Sequence, residues 1–344
     1  MTLLPHETAS ESPAIDRLLS WVSTLASIGA MKFAKGHGTG NDFVIIPDVA
    51  GRIELTPEFV AALCDRRFGV GADGVLRVVG AAAAGGDSAG QAADWFMDYR
   101  NADGSVAEMC GNGIRVFARY LLEGGLVSGP EIPVATRAGT RTVRAEADGQ
   151  FTVDMGPVAV LGEGRVQLGD QQPRGLAISV GNPHLACLVS QPVAEVDLTA
   201  PRVLAPAAFT GGANVEVIRV IGDHEIEMRV HERGSGLTLS CGTGAVASAV
   251  AAAVAAGEWP PAEWPAAEWP PAEHPAAAGR PTAEWAAAEN EAGRPWSVRV
   301  PGGKLAVTPS ATASLLTGPA EIVASGELSA DWLAVRLPAG LSAV

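Results

Sequence analysis

An α+β fold in two domains is what this sequence predicts, and three observations carry the prediction. At 344 residues the chain is long enough for two cores. From Met31 onward, short apolar or alternating runs broken by glycine and proline recur, as they do in strands joined by turns. Helical spacing is confined to a few places, and two of these follow a repeated turn, Cys110-Gly111-Asn112-Gly113 and Cys241-Gly242-Thr243-Gly244.

Residues 1–30 are expected to form a flexible extension. Their apolar stretch, Leu18 to Leu25, is too short and too rich in Ser and Thr to span a bilayer, and Glu7, Glu11 and Asp16 stand where a signal peptide would be positive. Met31 is the expected start of the folded chain. Phe43–Ile46, Val75–Val79, Trp95–Tyr99, Ile178–Val180 and Leu185–Val189 have strand length and composition. In Glu225–His231 strict alternation puts Ile226, Met228 and Val230 on one buried face. Thr56-Pro57-Glu58 combines an N-cap residue, a proline at the first helical position and an early acid, which predicts a helix to about Cys64. Behind Cys110, the residues Ile114, Phe117, Ala118 and Leu121 fall on one helix face. Behind Cys241, the run Ala245–Ala256 carries no charge and predicts a helix buried all round.

Residues 258–296 read differently. A five-residue unit, first Glu258-Trp259-Pro260-Pro261-Ala262, repeats with a proline each time, which excludes helix propagation. Composition favours a disordered insertion over a docking segment, although Trp259, Trp264, Trp269, Trp285 and Trp296 all lie within it. The core is expected to resume near Val298, with Pro301-Gly302-Gly303 as a turn.

Composition excludes several function classes. The formal charge of -14 repels nucleic-acid phosphates and anionic membrane surfaces. Four cysteines without a Cys-x-x-Cys pair indicate neither a disulfide framework nor structural zinc, and a reducing cytoplasm fits them. His37, His184 and His231 lack metal-ligand spacing, so no metal is expected. Gly36-His37-Gly38-Thr39-Gly40 lacks the residues of a phosphate loop and reads as a turn shaping a site. Asp42, Asp98 and Asp103 read as turn and loop partners.

The paired cysteine turns carry the chemistry. A helix N-terminus favours negative charge, typically by up to ~2 kcal/mol in partly buried geometry, enough to bring a thiol from about 8.5 to about 7. The flanking glycines let backbone N–H groups approach a carboxylate. Two such turns suit stereoinversion, which needs a base on one face of a carbon and an acid on the other. Cys64 and Cys187, inside apolar patterns, read as small buried hydrophobes. A dithiol redox pair formed by Cys110 and Cys241 is the alternative from another class.

With these residues in view, the chain resembles the diaminopimelate epimerases. The resemblance rests on Gly38-Thr39-Gly40-Asn41-Asp42-Phe43, on Asn101-Ala102-Asp103-Gly104-Ser105 ahead of Cys110-Gly111-Asn112-Gly113-Ile114-Arg115, on Gly181-Asn182-Pro183-His184, and on Asn214. It continues in Glu232-Arg233-Gly234, Cys241-Gly242-Thr243-Gly244 and Pro301-Gly302-Gly303, in the family's order. The resemblance implies a pyridoxal-free, cofactor-independent enzyme that interconverts LL- and meso-diaminopimelate, a precursor of lysine and peptidoglycan. It implies Cys110 and Cys241 as the acid/base pair, with the N–H groups of Gly111, Asn112, Gly242 and Thr243 on the reacting carboxylate. Asn41, Asn101, Asn182, Asn214 and Arg233 would hold the distal end and Glu232 the reacting ammonium. His184 would orient a thiol or the substrate, or simply pack beside its turn. Gly74 stands where some relatives carry glutamine, so no side-chain role transfers there. A proline or hydroxyproline racemase of the same fold is the nearer alternative. The implied fold is two pseudo-symmetric domains, each a barrel-like sheet around a central helix, with the site in the cleft between them, and the implied assembly is a homodimer. Residues 31–155 would form the first domain and 156–320 the second, with the boundary near Gly156-Pro157. A strand near Glu321 to Gly326 would return to the first domain ahead of the tail to residue 344.

Overall fold

The computed structural model describes residues 31–206, 209, 211–259 and 294–336. The expectations for residues 1–30, for 260–293 of the insertion and for the last eight residues therefore lie outside the described residues.

The first half contains β1 (Met31–Gly38), β2 (Asn41–Pro47), β3 (Gly74–Gly80), β4 (Trp95–Asn101), β5 (Glu131–Ala135), β6 (Arg141–Ala145) and β7 (Phe151–Asp154). Helix α1 (Pro57–Cys64) starts at Thr56, whose hydroxyl accepts from the Phe59 N–H, and packs outside the sheet. Helix α2 (Gly111–Glu123) touches β1 to β7, so the strands wrap around it. Ile114, Phe117, Ala118 and Leu121 are fully buried in that wrap, as their spacing requires.

The second half contains β8 (Ala159–Gln167), β9 (Arg174–Ser179), β10 (Pro183–Leu188), β11 (Arg202–Ala205), β12 (Asn214–Gly222), β13 (Glu225–Glu232), β14 (Gly236–Thr238), β15 (Trp296–Val300), β16 (Gly303–Thr308), β17 (Leu315–Gly318) and β18 (Glu321–Leu328). Helix α3 (Gly242–Ala256) is enclosed by strands β9, β10, β12, β13 and β15 to β17. Its alanines let the sheet approach closely. Burial runs all round it only to Ala253, and the last turn emerges into solvent. A short final helix, α4 (Ala330–Arg336), packs Trp332 against Phe59 of α1.

Pairing along β1 to β7 is antiparallel, parallel, antiparallel, parallel, antiparallel, antiparallel. Along β9, β10, β12, β13, β15, β16 and β17 it is the same. Helix α2 lies between the fourth and fifth strands of its set, and α3 between the fourth and fifth of its own. The pseudo-symmetry extends to the joints. Strands β7 and β17, the last of each set, pair antiparallel, with Thr152 and Thr317 hydroxyls 2.8 Å apart. Each is then followed by a strand that crosses over: β8 pairs β9 of the second set, and β18 returns to pair β1 of the first. Contact between the halves thus runs through β18 on β1 and already begins at β17.

Several local expectations change. Asp98 lies in β4, buried between Arg77, Arg100 and Arg137 at 3.0, 2.8 and 2.8 Å, and clamps the sheet rather than a turn. Burial opposes its charge, yet Arg100 and Arg137 hold its carboxyl below the usual range. Asp42 lies in β2 and ion-pairs with Lys35 and Arg66; Asp103 is the turn partner expected, accepting from the Ser105 N–H. Gly36 and Gly38 belong to strand β1, and only Thr39-Gly40 turns. Trp296 is not part of the insertion but opens β15, buried and stacked on His224 with ring centroids 4.7 Å apart. Trp259, at the other foot, is also buried, because both indoles close the end of the second core.

The turn at Gly302 seats against the β1–β2 hairpin. A Cβ there would lie 1.7 Å from the Thr39 carbonyl oxygen, and that backbone cannot yield without moving Asn41. Gly302→Ala is therefore expected to cost about 1–3 kcal/mol in urea unfolding and to reduce turnover as well. Unchanged values of both would show that the two turns are not rigidly docked.

Candidate active site between two cysteine turns

Cys110 and Cys241 are the N-caps of α2 and α3, in matching extended conformations (φ -139°, ψ 121° and φ -129°, ψ 120°). Each sulfur accepts from the N–H three residues on, Gly113 at 3.3 Å and Gly244 at 3.4 Å. Glycine is needed at these positions for space. A Cβ at Gly244 would lie 2.7 Å from Glu216 Oε1, and one at Gly113 would be 3.3 Å from Leu76. The two helices also meet head to head, since a Cβ on Gly242 would lie 3.1 Å from the Gly111 Cα.

Side chains lock the meeting point. Asn112 Nδ2 donates to the Ser240 carbonyl at 3.2 Å and to Asn41 Oδ1 at 3.3 Å, and the Thr39 hydroxyl donates to Ser240 Oγ at 2.7 Å. The Cys110 thiol faces Asn41 Oδ1 at 3.7 Å, and Asn41 Nδ2 donates to Asp73 at 2.8 Å. Around Cys241 a chain of contacts runs inward. Its sulfur lies 3.5 Å from Thr243 Oγ1, which accepts from Asn182 Nδ2 at 3.3 Å. Asn182 Oδ1 is 2.9 Å from His184 Nε2, and His184 Nδ1 is 2.7 Å from Glu216 Oε1. His184 and Glu216 are both completely buried, and hydrogen bonds connect His184 to the thiol through Asn182 and Thr243.

Of the other expected residues, Glu232 accepts from the Thr238 hydroxyl at 2.5 Å and interacts with the Cys241 thiol. Asn214 Oδ1 accepts from the Arg233 N–H at 2.9 Å, while the exposed Arg233 side chain lies across Gly212. Asn101 is held by Tyr99, whose hydroxyl donates to Oδ1 at 2.9 Å, and by Ser105. Gly74 has no room for a side chain, since a Cβ would lie 2.6 Å from the Arg100 carbonyl oxygen.

Sequence reasoning assigned no role to Arg115, Glu216, Thr39, Ser240 or Asp73. Glu216 had one signal, its place two residues after Asn214 on the same strand face. Arg115 was visible only as the last residue of the Cys110–Arg115 motif, and its burial was not, because an arginine beside an apolar helix stripe ordinarily faces water.

The thiol expectation is overturned. Burial pushes the Cys110 thiol up to about 11, outweighing the helix-start N–H groups, and pushes Cys241 well above its ordinary range, with Glu232 and Glu216 adding to the rise. Desolvation of a buried thiolate exceeds what a helix terminus returns. Burial likewise raises Glu216 and Glu232. Cys64 and Cys187 lie in the cores, pushed up to about 12, as small hydrophobes. Among the described residues no cluster of three His, Cys, Asp or Glu side chains could hold a metal, and no helix is long and apolar enough to cross a membrane.

Solved structures share the architecture. A hydroxyproline epimerase from Agrobacterium vitis aligns with a TM-score of 0.54 at 15% identity, over 87% of this chain and 91% of that one. A PhzF-family phenazine biosynthesis protein from Bacillus anthracis aligns at 0.53 and 13%, over 88% and 100%. These likenesses establish the fold. Sequence likeness goes further. The chain is 53% identical over 303 residues to the diaminopimelate epimerase of Thermobifida fusca (strain YX), covering 87% of this chain and 98% of that protein. It is 47% identical over 317 residues to that of Mycobacterium tuberculosis (strain ATCC 25177 / H37Ra), covering 88% and 98%. The profile of the family described as diaminopimelate epimerase matches residues 33–161 and 176–261. The chain belongs to the diaminopimelate epimerase family.

Proposed function

We propose that this protein interconverts LL- and meso-diaminopimelate by proton transfer between the α-carbon and two thiols. The observation that carries the reading is the head-to-head meeting of two helix starts, each capped by a cysteine. One sulfur, as thiolate, removes the α-proton, and the other, as thiol, delivers a proton to the opposite face; the reverse reaction exchanges the roles. The N–H groups of Gly111, Asn112, Gly242 and Thr243 receive the reacting carboxylate and stabilise the carbanion-like transition state. Glu232 accepts from the reacting ammonium. Asn41, Asn101, Asn182, Asn214 and Arg233 take the distal amino-acid end, where a guanidinium can grip a carboxylate by two hydrogen bonds. His184, seated on Glu216, orients Asn182 and through it the Cys241 side.

The same reading takes the enzyme as a cytoplasmic homodimer that needs no cofactor. It takes residues 31–155 and 156–320 as its domains, with 1–30 and the tryptophan-proline segment as appendages. Incubation with diaminopimelate and with proline in D2O tests the substrate. Deuterium is expected at the α-carbon of diaminopimelate together with inversion. Exchange into proline and none into diaminopimelate would instead assign a proline racemase.

A further inference from the structure

Each cysteine turn is touched by an asparagine from the same place in its half, and the two amides are held in opposite senses. Parallel registers pair Phe43 with Gly74 in the first half and His184 with Asn214 in the second. Asn41 and Asn182 each stand two residues ahead of that pairing, and each reaches the second residue after its cysteine. Asn41 Oδ1 accepts from Asn112 Nδ2 at 3.3 Å, whereas Asn182 Nδ2 donates to Thr243 Oγ1 at 3.3 Å. One turn therefore meets an acceptor and the other a donor.

The groups that turn the amides differ as well. Asn182 Oδ1 lies 2.9 Å from His184 Nε2, and the residue answering to His184 in the first half is Phe43, which has no nitrogen to offer. There the holder is Asp73, whose Oδ2 accepts from Asn41 Nδ2 at 2.8 Å; its own counterpart is Ala213. A carboxylate only accepts, so Asp73 admits one orientation of the Asn41 amide. Asn112 is set independently. Arg115, which only donates, bonds its Oδ1 at 2.9 Å and leaves Nδ2 for Asn41 and for the Ser240 carbonyl. The donors thus all point one way, from Arg115 through Asn112 and Asn41 to Asp73.

Asp73 is fixed without help from Asn41. Its N–H donates to the Asp42 carbonyl at 2.9 Å and to Asp42 Oδ1 at 3.2 Å, while its Oδ2 accepts from the Asp42 N–H at 3.2 Å. Arg66 bridges the pair, 2.7 Å from an oxygen of each, but it is exposed, and an exposed ion pair contributes little.

We propose that Asp73 is a positioning residue for the Cys110 turn. Its carboxylate holds the Asn41 amide with Oδ1 inward, 3.7 Å from the Cys110 sulfur, and through Asn112 keeps that turn docked on Ser240 of the second. This rests on the two-thiol reading above.

The test is kcat/KM for α-proton exchange in D2O by the full chain, compared for Asp73→Leu, Asp73→Asn and Arg66→Met. Leucine fills similar space without an acceptor and is expected to lower kcat/KM by roughly 10- to 100-fold, the worth of a hydrogen bond to a charged group. Asparagine keeps an oxygen for Asn41 and should retain most of the activity, as should Arg66→Met, which removes only the exposed ion pair. Asparagine as poor as leucine, or Arg66→Met as poor as either, would tie Asp73 to its ion pair and overturn the proposal. So would a folded Asp73→Leu with wild-type kcat/KM. If Asp73→Leu does not fold, Asp73→Ala takes its place; failure of both to fold assigns Asp73 to the framework alone and also overturns the proposal. A wild type inert toward diaminopimelate refutes the proposed substrate instead, and the comparison passes to the amino acid whose α-hydrogen the protein does exchange.

Discussion

Replacing either Cys110 or Cys241 by alanine is expected to lower epimerisation by about 10²–10⁴-fold, and the double variant should be little worse than the poorer single. A stereoinversion needs both groups in one passage, so the losses do not add. Serine should not rescue either position, because its hydroxyl is a far weaker acid than a thiol. Alanine at Cys64 or Cys187, each embedded in a core away from the helix starts, should leave turnover in place. The pH dependence follows from the same burial. With the Cys110 thiol raised to about 11, the thiolate is the minor form at neutral pH. Its fraction grows about tenfold per pH unit below that value, so kcat/KM is expected to rise from pH 6 toward about 9 rather than level off near 7. Inversion that persists at wild-type rates with both sulfurs gone would end the two-thiol reading. A plateau near neutrality would mean that the cleft is wetter around Cys110 than its packing indicates.

The largest stability effect is expected at Phe117→Ala. This ring is completely buried on α2, inside the first barrel, with Ile114 and Leu121 as neighbours on its face. Removing a buried phenylalanine typically costs about 3–5 kcal/mol, part transfer and part cavity. At roughly 2–4 °C per kcal/mol for a chain of this class, the melting temperature should fall by of the order of 10 °C. Helix α3 should respond in the opposite way. It fills its barrel with alanine and valine, so there the damaging change is a larger residue, such as Ala249→Leu, at about 1–3 kcal/mol. A Phe117→Ala protein that melts like the wild type would show that the first barrel can collapse onto its helix.

Much of this was legible in the residues. The Thr56-Pro57 helix start, the alternation along β13 and the spacing of Ile114, Phe117, Ala118 and Leu121 are local patterns, and each formed as its pattern requires. The cysteine turns were legible because glycine spacing around a helix start has few other uses. What stayed hidden depends on distant partners. Nothing near Leu315 indicates that β17 pairs with β7, some 160 residues earlier. Asp98 resembles a turn residue until three arginines from other segments reach it. The state of the thiols was misjudged for the same reason. A helix terminus can be read from its sequence, whereas the desolvation that outweighs it comes from the whole surrounding sheet.

The crossing of β8 and β18 bears on how the molecule comes into being on the ribosome. The first barrel lacks one wall until residues 321–328 arrive, because β1 takes its outer neighbour from a strand that follows both sets of strands in the chain. Through most of translation that strand presents an open edge, able to pair wrongly with another chain. Cutting the chain between the halves would leave the second with β18, a strand that belongs to the first. The nascent polypeptide therefore cannot finish its first half and then start its second; the first is completed only once residues 321–328 have emerged.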